Sequence, residues 1–182
     1  MVKICLMGTE ELNRKLRKIK VLILDVDGVL TDGTIIYDGS GQELKAFNVR
    51  DGAAIKWLQR AGIEVAIISG RNSPPVLVRA KELGIEKLVQ GALDKLPAFE
   101  KFLDENGRQP EETAFIGDDV HDLPILKRAG FSACPADAVD EVKNMVDYVC
   151  QARGGRGAVR EVAELILKGQ KKWNEALKKY QV

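Results

Sequence analysis

From Ile19 onward, apolar runs of strand length alternate with amphipathic stretches of helix length, and that alternation restricts the fold more than any other feature. The strand-like runs are "VLILDV", "EVAIIS", "EKLVQG", "TAFIGD", "FSAC" and "DYVC". Between them lie "GAAIKWLQRAG", "SPPVLVRAKELG", "LPAFEKFLDENG", "DLPILKRAG" and "AVDEVKNMV", and "GAVREVAELILKGQKKWNEALKKY" reads as one long helical tail. Ser73 ahead of Pro74 and Pro75 is helix-start chemistry, and Gly62, Gly84 and Gly107 act as stops. Strands that are apolar throughout are covered on both faces. The pattern predicts an α/β fold, a doubly wound three-layer α/β/α sandwich with a mostly parallel sheet.

One stretch breaks the rhythm. Residues 31–48, "TDGTIIYDGSGQELKAFN", hold two short β-prone pieces around a turn-rich centre. They predict a β-hairpin inserted after the first strand, overhanging the edge of the sheet where such folds bind ligands. With 182 residues and no linker or repeat, the chain reads as a single domain over 1–182, its glycine-rich segment and last helix falling at about 152–182.

In a parallel sheet all strands end at one rim. The first strand delivers Asp25 and Asp27, the second Ser69 in "IISGR", and Lys95 follows the third in "GALDK". The fourth delivers Gly117, Asp118, Asp119 and, one turn on, Asp122. So many carboxylates in one crevice repel each other unless a cation neutralises them. A hard divalent ion such as Mg²⁺ fits, since it takes one or two carboxylates plus waters and phosphate oxygens. The reaction suited to this layout is phosphoryl transfer to a carboxylate, with Asp25 as nucleophile and Lys95 cancelling repulsion. Asp27 is placed to protonate the leaving alkoxide and later to deprotonate water. Ser69 is placed to hold phosphate oxygens, Asp118 to bind the metal, and Asp119 and Asp122 to complete its outer shell.

These four segments, "DVDG", "ISG", "LDK" and "GDDVHD", resemble the motifs of the haloacid dehalogenase superfamily of phosphotransferases. "FNVRDG" and "GGRGAVRE" further resemble the superfamily's capless phosphatases of ulosonate phosphates, over about residues 19–166. The resemblance implies a magnesium enzyme with Asp25, Asp27 and Asp118 around the metal, and Thr31, Arg50, Ser69, Gly70, Arg71 and Arg156 toward phosphate and substrate. It implies a small-molecule substrate, the 8-phosphate of an eight-carbon sugar acid that feeds lipopolysaccharide; a nine-carbon 9-phosphate is the alternative. It also implies a homotetramer in which hairpins pack around an axis and the glycine-rich segment folds over a neighbour's site. Arg50 and Asp51, just past the hairpin, are placed against substrate or partner.

Composition and motifs weigh on the other classes. Lys and Arg outnumber acids six to two in residues 1–20 and five to one in residues 168–182, so with a net charge of +1 the stretch between is acidic. An acidic centre with 5% aromatics does not suggest nucleic acid. No apolar run approaches a membrane span, and the first residues lack the apolar core of a signal peptide. Cys5, Cys134 and Cys150 form no CxxC pair, which points to reduced thiols in a cytoplasm. No GxGxxG follows the first strand, so dinucleotide binding is not expected. A phospho-receiver has no need of Asp27, and a catalytically silent assembly module has no reason to keep the charge cluster. His121 is read as a helix-start residue.

Overall fold

A computed structural model describes residues 9–180; Cys5 and the first eight residues of the basic N-terminal segment lie outside them. Helix α1 (Thr9–Leu16) leads into β1 (Val21–Leu24), followed by the hairpin strands β2 (Ile36–Tyr37) and β3 (Glu43–Leu44). Then come α2 (Val49–Arg60), β4 (Glu64–Ile68), α3 (Pro74–Leu83), β5 (Lys87–Val89), α4 (Lys95–Asn106) and β6 (Thr113–Ile116). The chain continues with α5 (Leu123–Arg128), β7 (Phe131–Cys134), α6 (Asp140–Lys143), β8 (Tyr148–Val149), α7 (Ala158–Gly169) and α8 (Trp173–Leu177).

The large sheet has six strands in the order β5-β4-β1-β6-β7-β8, and every pairing is parallel. Side chains along β1 alternate between faces. Leu22 and Leu24 join a core with Ile55, Leu58, Val162 and Ile166 of α2 and α7. Val21 and Ile23 face the other way, onto Phe99, Phe102 and Ile125 of α4 and α5. Two apolar cores, one on each face, make the expected three-layer sandwich. From β1 the chain builds outward through β4 to β5, then returns to lay β6 on the opposite side of β1. That reversal opens a crevice at the C-terminal ends of β1 and β6, where open α/β sheets bind ligands.

The hairpin forms where the sequence indicated, but its strands pair through only Ile36–Leu44 and Tyr37–Glu43. Helix α2 begins earlier than its periodicity suggested, because Asn48 caps it by accepting from the Arg50 N–H at 2.8 Å. The single long tail helix is a correction. α7 stops at Gly169, where an added Cβ would lie 2.8 Å from Leu16 Cβ, and Lys171 turns the chain with φ of 59°. The segment then folds back, setting Trp173 edge-on to Trp57 with ring centroids 5.6 Å apart.

Candidate active site

The rim of β1 is shaped by its own backbone. The Asp25 N–H donates to the Ile116 carbonyl of β6 at 3.0 Å, and the N–H groups of Val29, Leu30 and Thr31 all donate to the Val26 carbonyl. This curl carries residues 25–31 across the strand ends. Gly28 sits inside it with φ of +80°, and a Cβ there would fall 2.0 Å from Asp118 Oδ2. Only glycine lets the loop approach Asp118 so closely.

Three carboxylates converge beneath the loop. Asp25, Asp118 and Asp122 each bring an oxygen within 4.8 Å of the others. Lys95, at the start of α4 and 4% exposed, stands 2.9 Å from Asp25 Oδ1 and 2.6 Å from Asp122 Oδ1. The other oxygen of Asp122 accepts from the Asp118 N–H at 2.9 Å, so both its oxygens are committed. Burial, with the Asp122 charge added, pushes the Asp25 carboxyl up to about 7 against the pull of Lys95. Burial, with Asp25, Asp122 and Asp119 added, pushes Asp118 up to about 8. Burial works against the Lys95 charge, yet Asp25 and Asp122 leave its pKa raised. One ammonium among three carboxylates leaves negative charge uncompensated, and the donors are hard oxygens. That chemistry fits a divalent cation of the Mg²⁺ type, with Asp25 and Asp118 as the candidate ligands.

These groups line a cavity of about 490 Å³ together with Asp27, Ser69, Gly70, Arg71, Asp119 and His121. The Ser69 hydroxyl accepts weakly from the Arg71 N–H at 3.4 Å. Asp119 caps the next turn by accepting from the Val120 N–H at 2.6 Å. Asp27 stands apart from the carboxylate cluster. Its Oδ1 pairs with Lys45, and its Oδ2 lies 3.6 Å from Arg71 Nη1, which is buried without a hydrogen-bond acceptor.

Within the chain's own fold, four residues assigned to substrate or partner lie outside this cavity's lining. The Thr31 hydroxyl is buried, donating to the Val26 carbonyl at 3.4 Å and accepting from the Gly33 N–H at 3.2 Å, so it closes the loop. Arg50 and Arg156 line a separate cavity of about 660 Å³ with Arg160 and Glu161, away from the carboxylates. Asp51 is buried; it accepts from the N–H groups of Gly157 and Arg160 and anchors the start of α7. The glycine-rich segment packs on its own chain's loop, the Gly155 N–H donating to the Val29 carbonyl at 2.9 Å. A Cβ on Gly154 would lie 1.8 Å from the Gly28 carbonyl oxygen. Sequence reasoning missed Lys45 and Glu43. Glu43 lies on β3 and Lys45 just past its end, and their spacing of two residues, the spacing of one face of an extended chain, is the signal the sequence holds.

Comparison with known proteins agrees with this geometry. The haloacid dehalogenase-like hydrolase model matches residues 41–130. The 3-deoxy-D-manno-octulosonate 8-phosphate phosphatase of Escherichia coli K12 is 48% identical over 162 residues, 89% of this chain and 86% of that protein. The chain belongs to the haloacid dehalogenase-like hydrolases. Another such hydrolase, the octulosonate phosphatase of Haemophilus influenzae, is 47% identical over 88% of this chain and 89% of its own. Among solved structures, the Moraxella catarrhalis octulosonate phosphatase, in complex with magnesium ion, phosphate ion and KDO, superposes with a TM-score of 0.93. It is 42% identical and covers 96% of this chain and 100% of that one. Membership of this hydrolase family bears out the resemblance carried by "DVDG", "ISG", "LDK" and "GDDVHD".

Proposed function

We infer that this chain is a magnesium-dependent phosphatase that hydrolyses 3-deoxy-D-manno-octulosonate 8-phosphate. The observation that carries the chemistry is Asp25. It is a buried carboxylate at a strand end, held by Lys95 and set beside Asp118 and Asp122. The substrate rests on similarity at 48% identity over 89% of the chain to phosphatases named for that ester.

Asp25 attacks phosphorus, forming a new O–P bond as the bond to the sugar oxygen breaks. The leaving oxygen takes the electron pair and a proton from the Asp27 carboxyl. Water, giving its proton back to Asp27, then attacks the same phosphorus, and Asp25 departs as carboxylate with release of phosphate. Lys95 offsets the repulsion between the incoming dianion and Asp25, and Asp122 holds Lys95 and the Asp118 backbone in place. Magnesium, when bound by Asp25 and Asp118, supplies positive charge against the phosphate oxygens. Ser69, Gly70 and Arg71 border the cavity where those oxygens fit, and Arg71 Nη1, which has no hydrogen-bond acceptor, is a donor for a substrate oxygen. Asp119 supports the metal loop from outside.

The whole chain acts as one phosphatase unit in the cytoplasm, on the route to lipopolysaccharide, and works as a homotetramer. Support for assembly comes from the hairpin, whose Ile35, Ile36, Tyr37 and Leu44 are all exposed, beside Val49 at 81%. Among the described residues no helix is long and apolar enough to cross a membrane.

The test is phosphate release from the octulosonate 8-phosphate with Mg²⁺ and then with chelator. Rapid release that chelator stops supports the reading. Faster release from a nine-carbon ulosonate 9-phosphate moves the substrate assignment to that ester. No release from either removes the enzyme reading in favour of an assembly role.

A further inference from the structure

We propose that Lys45 is a positioning residue for the acid–base carboxylate of Asp27, an assignment that rests on the role given to Asp27 above. Lys45 occupies an unusual place for a lysine. The hairpin strands are two residues long and exposed, yet the Lys45 side chain is 1% exposed. A buried ammonium is strongly unfavourable unless paired. Lys45 is paired with Asp27 Oδ1, and Glu43 Oε1 lies 3.4 Å away.

Glu43 is fixed in turn by other elements. Its Oε1 accepts from Arg71 at 2.7 Å and its Oε2 from the Ser73 hydroxyl at 2.5 Å. Lys45 is thus held from behind by a carboxylate that is itself tied to the loop after β4 and the cap of α3. The result is a rigid prop on one oxygen of Asp27. With Oδ1 committed to Lys45, Oδ2, which faces Arg71 Nη1 at 3.6 Å without a hydrogen bond, is the oxygen left to carry the travelling proton.

A purely structural account has Lys45 simply anchoring the hairpin. Two rungs alone are marginal, but the hairpin is already tied down by Glu43 on Arg71 and Ser73 and by Phe47 packed against the core. Anchorage does not require an ion pair with the one carboxylate that must exchange a proton. Positioning does.

The test uses a series of substituted phenyl phosphates, which share a size but differ in leaving-group basicity. For these, kcat/KM reports the step in which Asp25 displaces the phenoxide and Asp27 protonates it. A well-placed acid makes the rate nearly indifferent to leaving-group basicity. Lys45→Met is expected to steepen that dependence. The nitrophenyl ester loses little, while the ester of unsubstituted phenol loses about 10- to 100-fold, a part of the roughly 10²- to 10⁴-fold that general acid catalysis contributes. Lys45→Arg, which keeps a cation there, is expected to recover part of the shallow dependence. A misfolded fraction lowers every ester equally and leaves the slope alone; if Lys45→Met yields no folded protein, Lys45→Gln takes its place with the same expectation. An unchanged slope in a folded variant, with wild-type activity intact, overturns the role of Lys45 and leaves the phosphatase reading standing. Wild-type protein inactive on every phosphomonoester removes both.

Discussion

The Lys95 ammonium stands 2.9 Å from Asp25 Oδ1, inside a rim where both groups are buried. Its other contact is Asp122, so replacing it strips two buried carboxylates of their shared partner. Lys95→Met is expected to lower phosphatase activity about 10²- to 10³-fold, the scale for losing a fixed electrostatic contact in a closed site. Steady-state rates at saturating Mg²⁺, with circular dichroism to check the fold, provide the measurement.

Asp25 and Asp118, raised to about 7 and about 8 with burial as the first cause, make stability depend on pH in a known direction. Between the ordinary carboxylate range and pH 8, the metal-free native state holds protons that the unfolded chain has released. Stability from these two groups is therefore greatest at low pH and is lost as pH rises through 7 and 8. Mg²⁺ reverses the loss by pairing with the carboxylates. Thermal melts are expected to show a larger Mg²⁺-induced rise in Tm at pH 8 than at pH 5. An equal rise at both pH values contradicts the assignment of these groups to the metal.

Gly28 holds its loop against Asp118 by lacking a side chain. Gly28→Ala places a Cβ where Asp118 Oδ2 now lies and strains a backbone with φ of +80°. The Mg²⁺ concentration for half-maximal activity is expected to rise about 10- to 100-fold, as when the support of a metal ligand is disturbed. Titration of activity with Mg²⁺ reads this directly.

Asp51 is expected to contribute to stability rather than chemistry. Asp51→Ala leaves the N–H groups of Gly157 and Arg160 without their acceptor at the start of α7. The expected cost is about 1–3 kcal/mol, read from the urea midpoint. A fall in kcat/KM without loss of stability would restore Asp51 to the substrate side.

The sheet was legible because its strands are continuous apolar runs, which few other folds require. The same logic placed Asp25, Ser69, Lys95, Asp118 and Asp122 around one cavity, since each follows a strand. Asp27 also lines that cavity, whereas Thr31, Arg50 and Arg156 were harder, because their positions depend on how loops curl. Three N–H groups converging on the Val26 carbonyl turn Thr31 inward, and linear order carries no trace of that. Lys45 escaped notice because a two-rung hairpin leaves almost no periodicity to read. The break after α7 depends on Gly169 meeting Leu16, a contact between opposite ends of the chain.

The central claim is that Asp25 carries the phosphoryl group, and trapping that intermediate tests it most directly. Asp27→Asn, which slows attack by water on the acyl phosphate, is mixed with Mg²⁺ and 4-nitrophenyl phosphate, quenched in acid and reduced with borohydride. Peptide mapping is expected to find homoserine at position 25, the product of reducing an aspartyl phosphate there. Stoichiometric release of nitrophenol with Asp25 unmodified, or with the modification at another residue, would contradict the account.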